Sequence, residues 1–232
     1  MISLDEALRI LDINSPPPFS DLMLLNWKEK WEAVGDFVVE SNTIEGTTIN
    51  INKVSGTSHP SYAGQTWTYL LTSSQRINQR LEDFKRNPTY YLRTLPPNDV
   101  VSYHLIVGEE DLYIDTGNHR SCIAKFYLYK LGINDLHGVR VHNYTIDTKF
   151  MAAFNSLKAM IKKVNPQLQI TVVNTTKESA KTDTGFRTVN SLSARVAGGG
   201  EVKILNIEGI YQYLDMLKNQ RKPKWFNWLL SR

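Results

Sequence analysis

The spacing of apolar positions changes several times along this chain, and each change marks an element. From Ser3 to Leu11 the spacing is helical: Leu4, Ala7, Leu8 and Leu11 share a face, Ser3 caps it, and Glu6 holds the capping-box position. Pro16-Pro17-Pro18 ends that pattern. Ser20 or Asp21 opens a second predicted helix reaching about Val34, with Leu24, Trp27, Lys28 and Trp31 at helical spacing. Its tryptophans read as core or interface residues. From Asp36 to Val54 the period drops to two, through Phe37-Val38-Val39 and the alternating run Thr48 to Val54, which predicts a sheet edge or a hairpin. Gly56 to Gly64, holding Pro60 and several hydroxyl residues, reads as a connecting loop.

Trp67 to Leu71 looks like a strand, and Thr72 to Tyr91 is mostly helical until Pro88. Val100-Val101 and Tyr103 to Val107 form the next strand. Gly108 to Asp111 is a tight turn, and Leu112 to Ile114 is the antiparallel partner. A helix over Ser121–Leu131 closes on Gly132 and leads to the apolar stretch Val139 to Ile146. Thr148 to Val164 is an amphipathic helix with Phe150, Phe154, Leu157 and Ile161 inward, followed by a strand at Leu168 to Val173. Thr175 to Ser193 is rich in Thr, Ser and Lys. Gly198-Gly199-Gly200 reads as a flexible turn, because no Lys-Ser/Thr follows to make a phosphate loop of the Walker type. Val202 to Ile207 is a strand, and Ile210 to Lys218 a helix with Tyr211, Leu214 and Leu217 on one side. The pattern predicts an α/β (α+β) protein in three stretches: an acidic unit at 1–60, a core at 61–150, and an α/β extension at 151–232.

Composition narrows the setting. With 232 residues, 41% of them apolar, the chain can bury a substantial core, and its one cysteine excludes an internal disulfide framework. A reducing, cytoplasmic location is expected, and no apolar run approaches a membrane span. The net charge of +4 is uneven. Residues 1–50 carry nine acids against Arg9, Lys28 and Lys30, a balance of −6 that leaves +10 on the remainder. Such a body suits a polyanion, while the acidic segment shields it, binds a basic partner or keeps the protein soluble.

The chemistry concentrates at Asp115-Thr116-Gly117-Asn118-His119-Arg120-Ser121, where a strand ends and a helix begins. Gly117 permits a sharp turn, and the amides that follow point out of the helix start, where an anion is favoured. Asn118, His119 and Arg120 add an amide, an imidazole and a planar five-donor fork. The same residues also read as a helix cap, a turn glycine and a solvated arginine. Strand, turn, strand, this motif, then helix resembles the ParB/sulfiredoxin superfamily, whose members carry Gly-x-x-Arg at the start of a helix beside a sheet. The likeness covers Val100–Asp147, and more loosely extends back to Tyr62.

That resemblance implies a ParB/sulfiredoxin-like mixed sheet with flanking helices, and a phosphate site at Gly117, Asn118, His119, Arg120 and Ser121. It implies a nucleoside triphosphate or DNA as ligand and a weak NTPase or nuclease as activity, for which the chemistry of phosphoryl transfer suggests Mg2+. Asp115, His119 and Arg120 are then the candidate catalytic residues, with Glu109, Glu110 and Asp111 the other acids near in sequence. Sulfiredoxins hold their catalytic cysteine where this chain has Asn118, so sulfinic-acid reduction is not expected. Cys122 reads as a small buried hydrophobe. Thr116 also separates Asp115 from Gly117, and no helix-turn-helix of the chromosome-partitioning type follows. In the superfamily the element before the central hairpin contributes polar residues to the ligand surface, which makes Gln75, Arg76 and Arg80 candidates beside their reading as a solvated face. A second implied function is that of the Osa-like fertility-inhibition proteins, which act against plasmid DNA transfer by type IV secretion. Its partner would be a conjugation coupling ATPase. The tail interleaves Lys222 and Lys224 with Trp225 and Trp228, a mixture suited to nucleic acid, to an acidic protein groove or to docking on the core.

Overall fold

The computed structural model describes residues 2–92 and 100–219. Lys222, Lys224, Trp225 and Trp228 therefore lie outside the described residues. Among these, seven α-helices flank a nine-stranded mixed sheet, in agreement with the α+β expectation. The elements are α1 (Leu4–Ile10), β1 (Leu25–Asn26), α2 (Trp27–Val34), β2 (Val38–Asn50), β3 (Val54–Thr57), α3 (Trp67–Thr72), α4 (Ile77–Arg86), β4 (Ser102–Ile106), β5 (Leu112–Thr116), α5 (Asn118–Leu131), β6 (Asp135–Ile146), α6 (Thr148–Val164), β7 (Gln169–Thr182), β8 (Gly185–Gly198), β9 (Glu201–Leu205) and α7 (Ile207–Asn219). The strand order is β1-β3-β5-β4-β6-β2-β8-β7, with β9 paired to β8. No helix among the described residues is long and apolar enough to cross a membrane.

The chain forms two compact units. One comprises the described parts of Met1–Ala33 and Ser41–Thr145 with Ser179–Thr188; the other comprises Val34–Glu40, Ile146–Glu178 and the described part of Val189–Arg232. In the first, α1, α3, α4 and α5 contribute Ala7, Trp67, Leu70, Leu81, Ile123 and Phe126 to a core completed by Tyr103 and Ile114 of the sheet. In the second, Phe150, Phe154, Leu157 and Ile161 of α6 meet Ile210, Leu214 and Leu217 of α7 and Val196 of β8. Tyr211, expected on the inner side of α7, is half exposed, and Ile210 takes that place.

Five expectations are corrected. Trp67 to Leu71 is not a strand: Thr66 Oγ1 accepts from Tyr69 N at 3.0 Å, and Trp67, Leu70 and Leu71 make the buried stripe of α3. The helix expected from Ser20 begins only at Trp27. Before it, Leu24 N donates to Gln65 O at 2.8 Å and Leu24 O accepts from Gly64 N at 2.8 Å, which spends the backbone groups a helix would need. The Asp36 to Val54 run is neither edge nor hairpin, since β2 lies between β6 and β8. The Thr/Ser-rich stretch after Val173 continues as β7 and β8, joined by a two-residue turn. Gly56, placed in the loop by sequence, belongs to β3: a Cβ there would stand 2.4 Å from Tyr113 Cδ1 and 2.7 Å from Leu25 O.

Candidate phosphate-binding site

The strand pair β4/β5 delivers the chain to Gly117, whose φ of +87° turns it into α5. The helix begins at Asn118, three residues earlier than expected, so its first-turn amides are those of Asn118, His119 and Arg120. A Cβ on Gly117 would lie 2.1 Å from Val101 Cγ1, so the turn is closed sterically as well as conformationally. Asn118 is buried, with its Oδ1 accepting from Thr57 Oγ1 at 2.6 Å, while Ser121 shares a hydrogen bond with the Tyr103 hydroxyl at 2.8 Å. These two side chains lock α5 to β3 and β4 and are spent there, and the Ser121 N–H donates to Gly117 O at 2.8 Å.

His119 and Arg120 are half-buried at this corner. The Arg120 guanidinium lies 5.9 Å from the Tyr90 ring centre, and Arg120 lines a cavity of about 220 Å3 with Arg80, Asp83, Asn87, Tyr90 and Tyr91. Arg80 comes from α4, one turn beyond Arg76, which precedes that helix with a positive φ of 72°. Arg80 already pairs with Asp83 at 3.3 Å. The His119 ring stands beside these cations: its Nε2 is 3.3 Å from the Tyr62 hydroxyl, and Tyr62 stacks on His59 with ring centres 4.2 Å apart. Burial first, then Arg80, Arg76 and His59, push the His119 pKa below its usual value, while a hydrogen bond to the Gln75 backbone opposes the shift. His119 is thus a neutral, positioned imidazole at neutral pH.

Asp115 belongs to a different neighbourhood. Its carboxylate accepts from Ser102 Oγ at 2.7 Å and faces His104 and His142, whereas His119 and Arg120 meet residues of α4 and the loops around Tyr62 and Tyr90. Glu109 and Glu110 hold Lys30 and Lys53 at 2.7 and 3.3 Å, which makes them ion-pairing turn residues. Cys122 is buried with its thiol pKa pushed up, as a core residue's should be. Among the described residues, no group of three or more His, Cys, Asp or Glu side chains is arranged to hold a metal ion. Asp83, Asn87, Tyr90, Tyr91, His59 and Tyr62 were not singled out from sequence. The adjacent Tyr90-Tyr91 pair after Pro88 was the available signal, but only the fold carries it to Arg120. Comparison with protein-family models, curated proteins and solved structures gives no match.

Proposed function

We propose that this protein binds the phosphates of a nucleoside triphosphate or of a nucleic-acid backbone at the corner where α5 begins. The observation that carries this reading is the convergence of Arg80 and Arg120, from two helices, on one cavity. Arg76 and His119 stand alongside, and the first-turn amides of α5 add partial positive charge. Two guanidiniums fit two phosphoryl groups, each through paired N–H donors. The Gly-Asn-His-Arg sequence, similar to the ParB/sulfiredoxin motif, supports the same reading. Asp83 is the acid lining the cavity, so Mg2+ would come with the polyphosphate and keep most of its water. Any weak hydrolysis here would rest on Arg120 and the helix amides holding the phosphate, with His119 as a neutral hydrogen-bonding partner.

The test is a titration with the four nucleoside triphosphates, with and without Mg2+, and with short DNA at low and high salt. Binding should weaken with salt. It should fall at least about tenfold in Arg120→Ala, the loss of one charge-assisted contact. Removing the Arg120–Tyr90 contact costs about 0.5–1 kcal/mol, so the melting temperature should drop by no more than about 4 °C. Undiminished binding by Arg120→Ala would overturn the proposal.

A further inference from the structure

The bulge in the β4/β5 pairing sets Ser102 opposite Thr116 and Tyr103 opposite Ile114, leaving Asp115 as the extra residue. Bulges of this kind re-aim a side chain. Here the carboxylate is aimed between two imidazoles that the parallel β4/β6 register places side by side, His104 opposite His142. His104 Nε2 lies 3.4 Å from Asp115 Oδ1, and His142 Nε2 lies 3.7 Å from Asp115 Oδ2. The far nitrogens meet hydroxyls: His104 Nδ1 is 3.2 Å from the Tyr144 hydroxyl, and His142 Nδ1 is 2.9 Å from Thr43 Oγ1. Trp27 stacks on His104 with ring centres 4.5 Å apart and planes 10° apart, which fixes that ring.

Hydrogen bonds and charge from His104, together with the Ser102 hydroxyl, hold Asp115 down to about 2, so it is anionic at neutral pH and needs donors on both sides. His104 turns Nε2 to this carboxylate at 3.4 Å and Nδ1 to the Tyr144 hydroxyl, and His142 likewise turns Nε2 towards it and Nδ1 to the Thr43 hydroxyl. Two relays of hydroxyl, imidazole and carboxylate converge on Asp115, and they differ in what their hydroxyls can do. Burial and Asp115 push the Tyr144 phenol up to about 12, so it stays a donor. Thr43 and His142 instead line a cavity of about 570 Å3 with Glu45, Arg140 and the turn from Lys181 to Phe186.

We propose that Thr43 is a nucleophilic hydroxyl, with His142 as its general base and Asp115 as the positioning residue, acting on a carboxylic ester bound in this cavity. Nucleophile, base and orienting acid in this order are the recurring geometry of acyl transfer on unrelated folds. In the step, Thr43 Oγ forms a bond to the ester carbonyl carbon while its proton passes to His142 Nδ1. The resulting imidazolium is stabilised by Asp115, and the 3.7 Å separation shortens as the charge forms. Arg140, two residues from His142 and held through its Nε by Glu45 at 2.6 Å, supplies positive charge for the oxyanion. Collapse expels the alcohol, which regains the proton from His142; water then releases the acid and restores Thr43. Half-exposed Phe186 offers an apolar surface to the ester.

The probe is p-nitrophenyl acetate, read by p-nitrophenolate release and by mass mapping of the Thr43 peptide. The wild-type protein should release p-nitrophenolate through an acetyl group on Thr43. Thr43→Val, which keeps the shape and removes the hydroxyl, should abolish both signals, and Thr43→Ser should restore them. Asp115→Asn should slow acetylation at least tenfold. The wild-type rate should rise through one ionisation on the acid side of 6.5 and then level, because burial, His104 and Arg140 lower the His142 pKa against the opposing pull of Asp115 and Glu45. Acetylation confined to lysines, a Thr43→Val rate equal to wild type, or a wild-type profile that keeps climbing into the lysine range would each overturn the proposal. The pH profile uses unaltered protein, so misfolding of a variant leaves the test decisive.

Discussion

Gly117→Ala tests whether the corner is built as described, independently of any ligand. At φ +87° an alanine incurs the left-handed penalty of about 1–2 kcal/mol. Its Cβ would also stand 2.1 Å from Val101 Cγ1, on a buried β-branched side chain with little rotamer freedom to retreat. Overpacking of that kind costs about 1–3 kcal/mol, so the variant should lose about 2–5 kcal/mol in all. Urea unfolding followed by far-ultraviolet circular dichroism measures this directly, and the melting temperature should fall by between about 4 and about 20 °C. Val101→Ala removes the clashing methyl while costing roughly 2 kcal/mol as a cavity. The double variant should therefore be more stable than the sum of the two losses by at least about 1 kcal/mol. Strict additivity, or a Gly117→Ala loss below about 0.5 kcal/mol, would refute the reasoning.

Other predictions follow from single contacts. Asp83→Asn removes the carboxylate that occupies Arg80, so triphosphate binding measured by calorimetry should strengthen by several fold, roughly the 1 kcal/mol or less of a half-exposed pair. Asp115 has a folded pKa of about 2, below its unfolded value, so it stabilises the fold above pH 4 and that contribution is lost as pH falls towards 2. Acid unfolding of Asp115→Asn should accordingly be flatter across that window, by about 1 kcal/mol after screening. Lys125 is buried, with Nζ donating to the carbonyls of Ile51, Asn52 and Val54 at 3.2, 3.3 and 2.7 Å. Burial pulls its pKa down to about 8, so the unfolded chain binds more protons and stability should rise between pH 8 and 10.5. Lys125→Met should abolish that rise in a pH series of urea midpoints and cost at least about 2 kcal/mol for the carbonyls left unmet.

Local signals were legible where the chain alone decides. Ser3 caps α1 by accepting from Glu6 N, and α6 runs over Thr148–Val164 as its apolar stripe predicts. The Gly117 to Arg120 turn was legible because conformation and chemistry sit in four consecutive residues. Where distant partners decide, the reading failed. Trp67-Thr68-Tyr69-Leu70-Leu71 has the composition of a strand, but the Thr66 cap and the α5 face beneath it make a helix. Leu24 has helical spacing to Trp27 and Trp31, yet its backbone and that of Leu22 pair with the 64–67 segment. Arg80 was a candidate through the superfamily resemblance, whereas its cavity partners Asn87 and Tyr90 depend on how α4 turns back. His104 and His142 are neighbours only through a parallel crossover containing α5, and no local period records such a register.

The central claim is that Arg80 and Arg120 hold one polyphosphate together. A double-mutant cycle with inorganic tripolyphosphate tests it, measuring affinity by calorimetry for the wild type, Arg80→Ala, Arg120→Ala and the double variant at low salt. Each single variant should bind at least about tenfold more weakly, and the double variant should lose less than the sum by more than about 0.5 kcal/mol, as groups sharing one ligand do. Additive losses, or single variants that bind as tightly as the wild type, would contradict it.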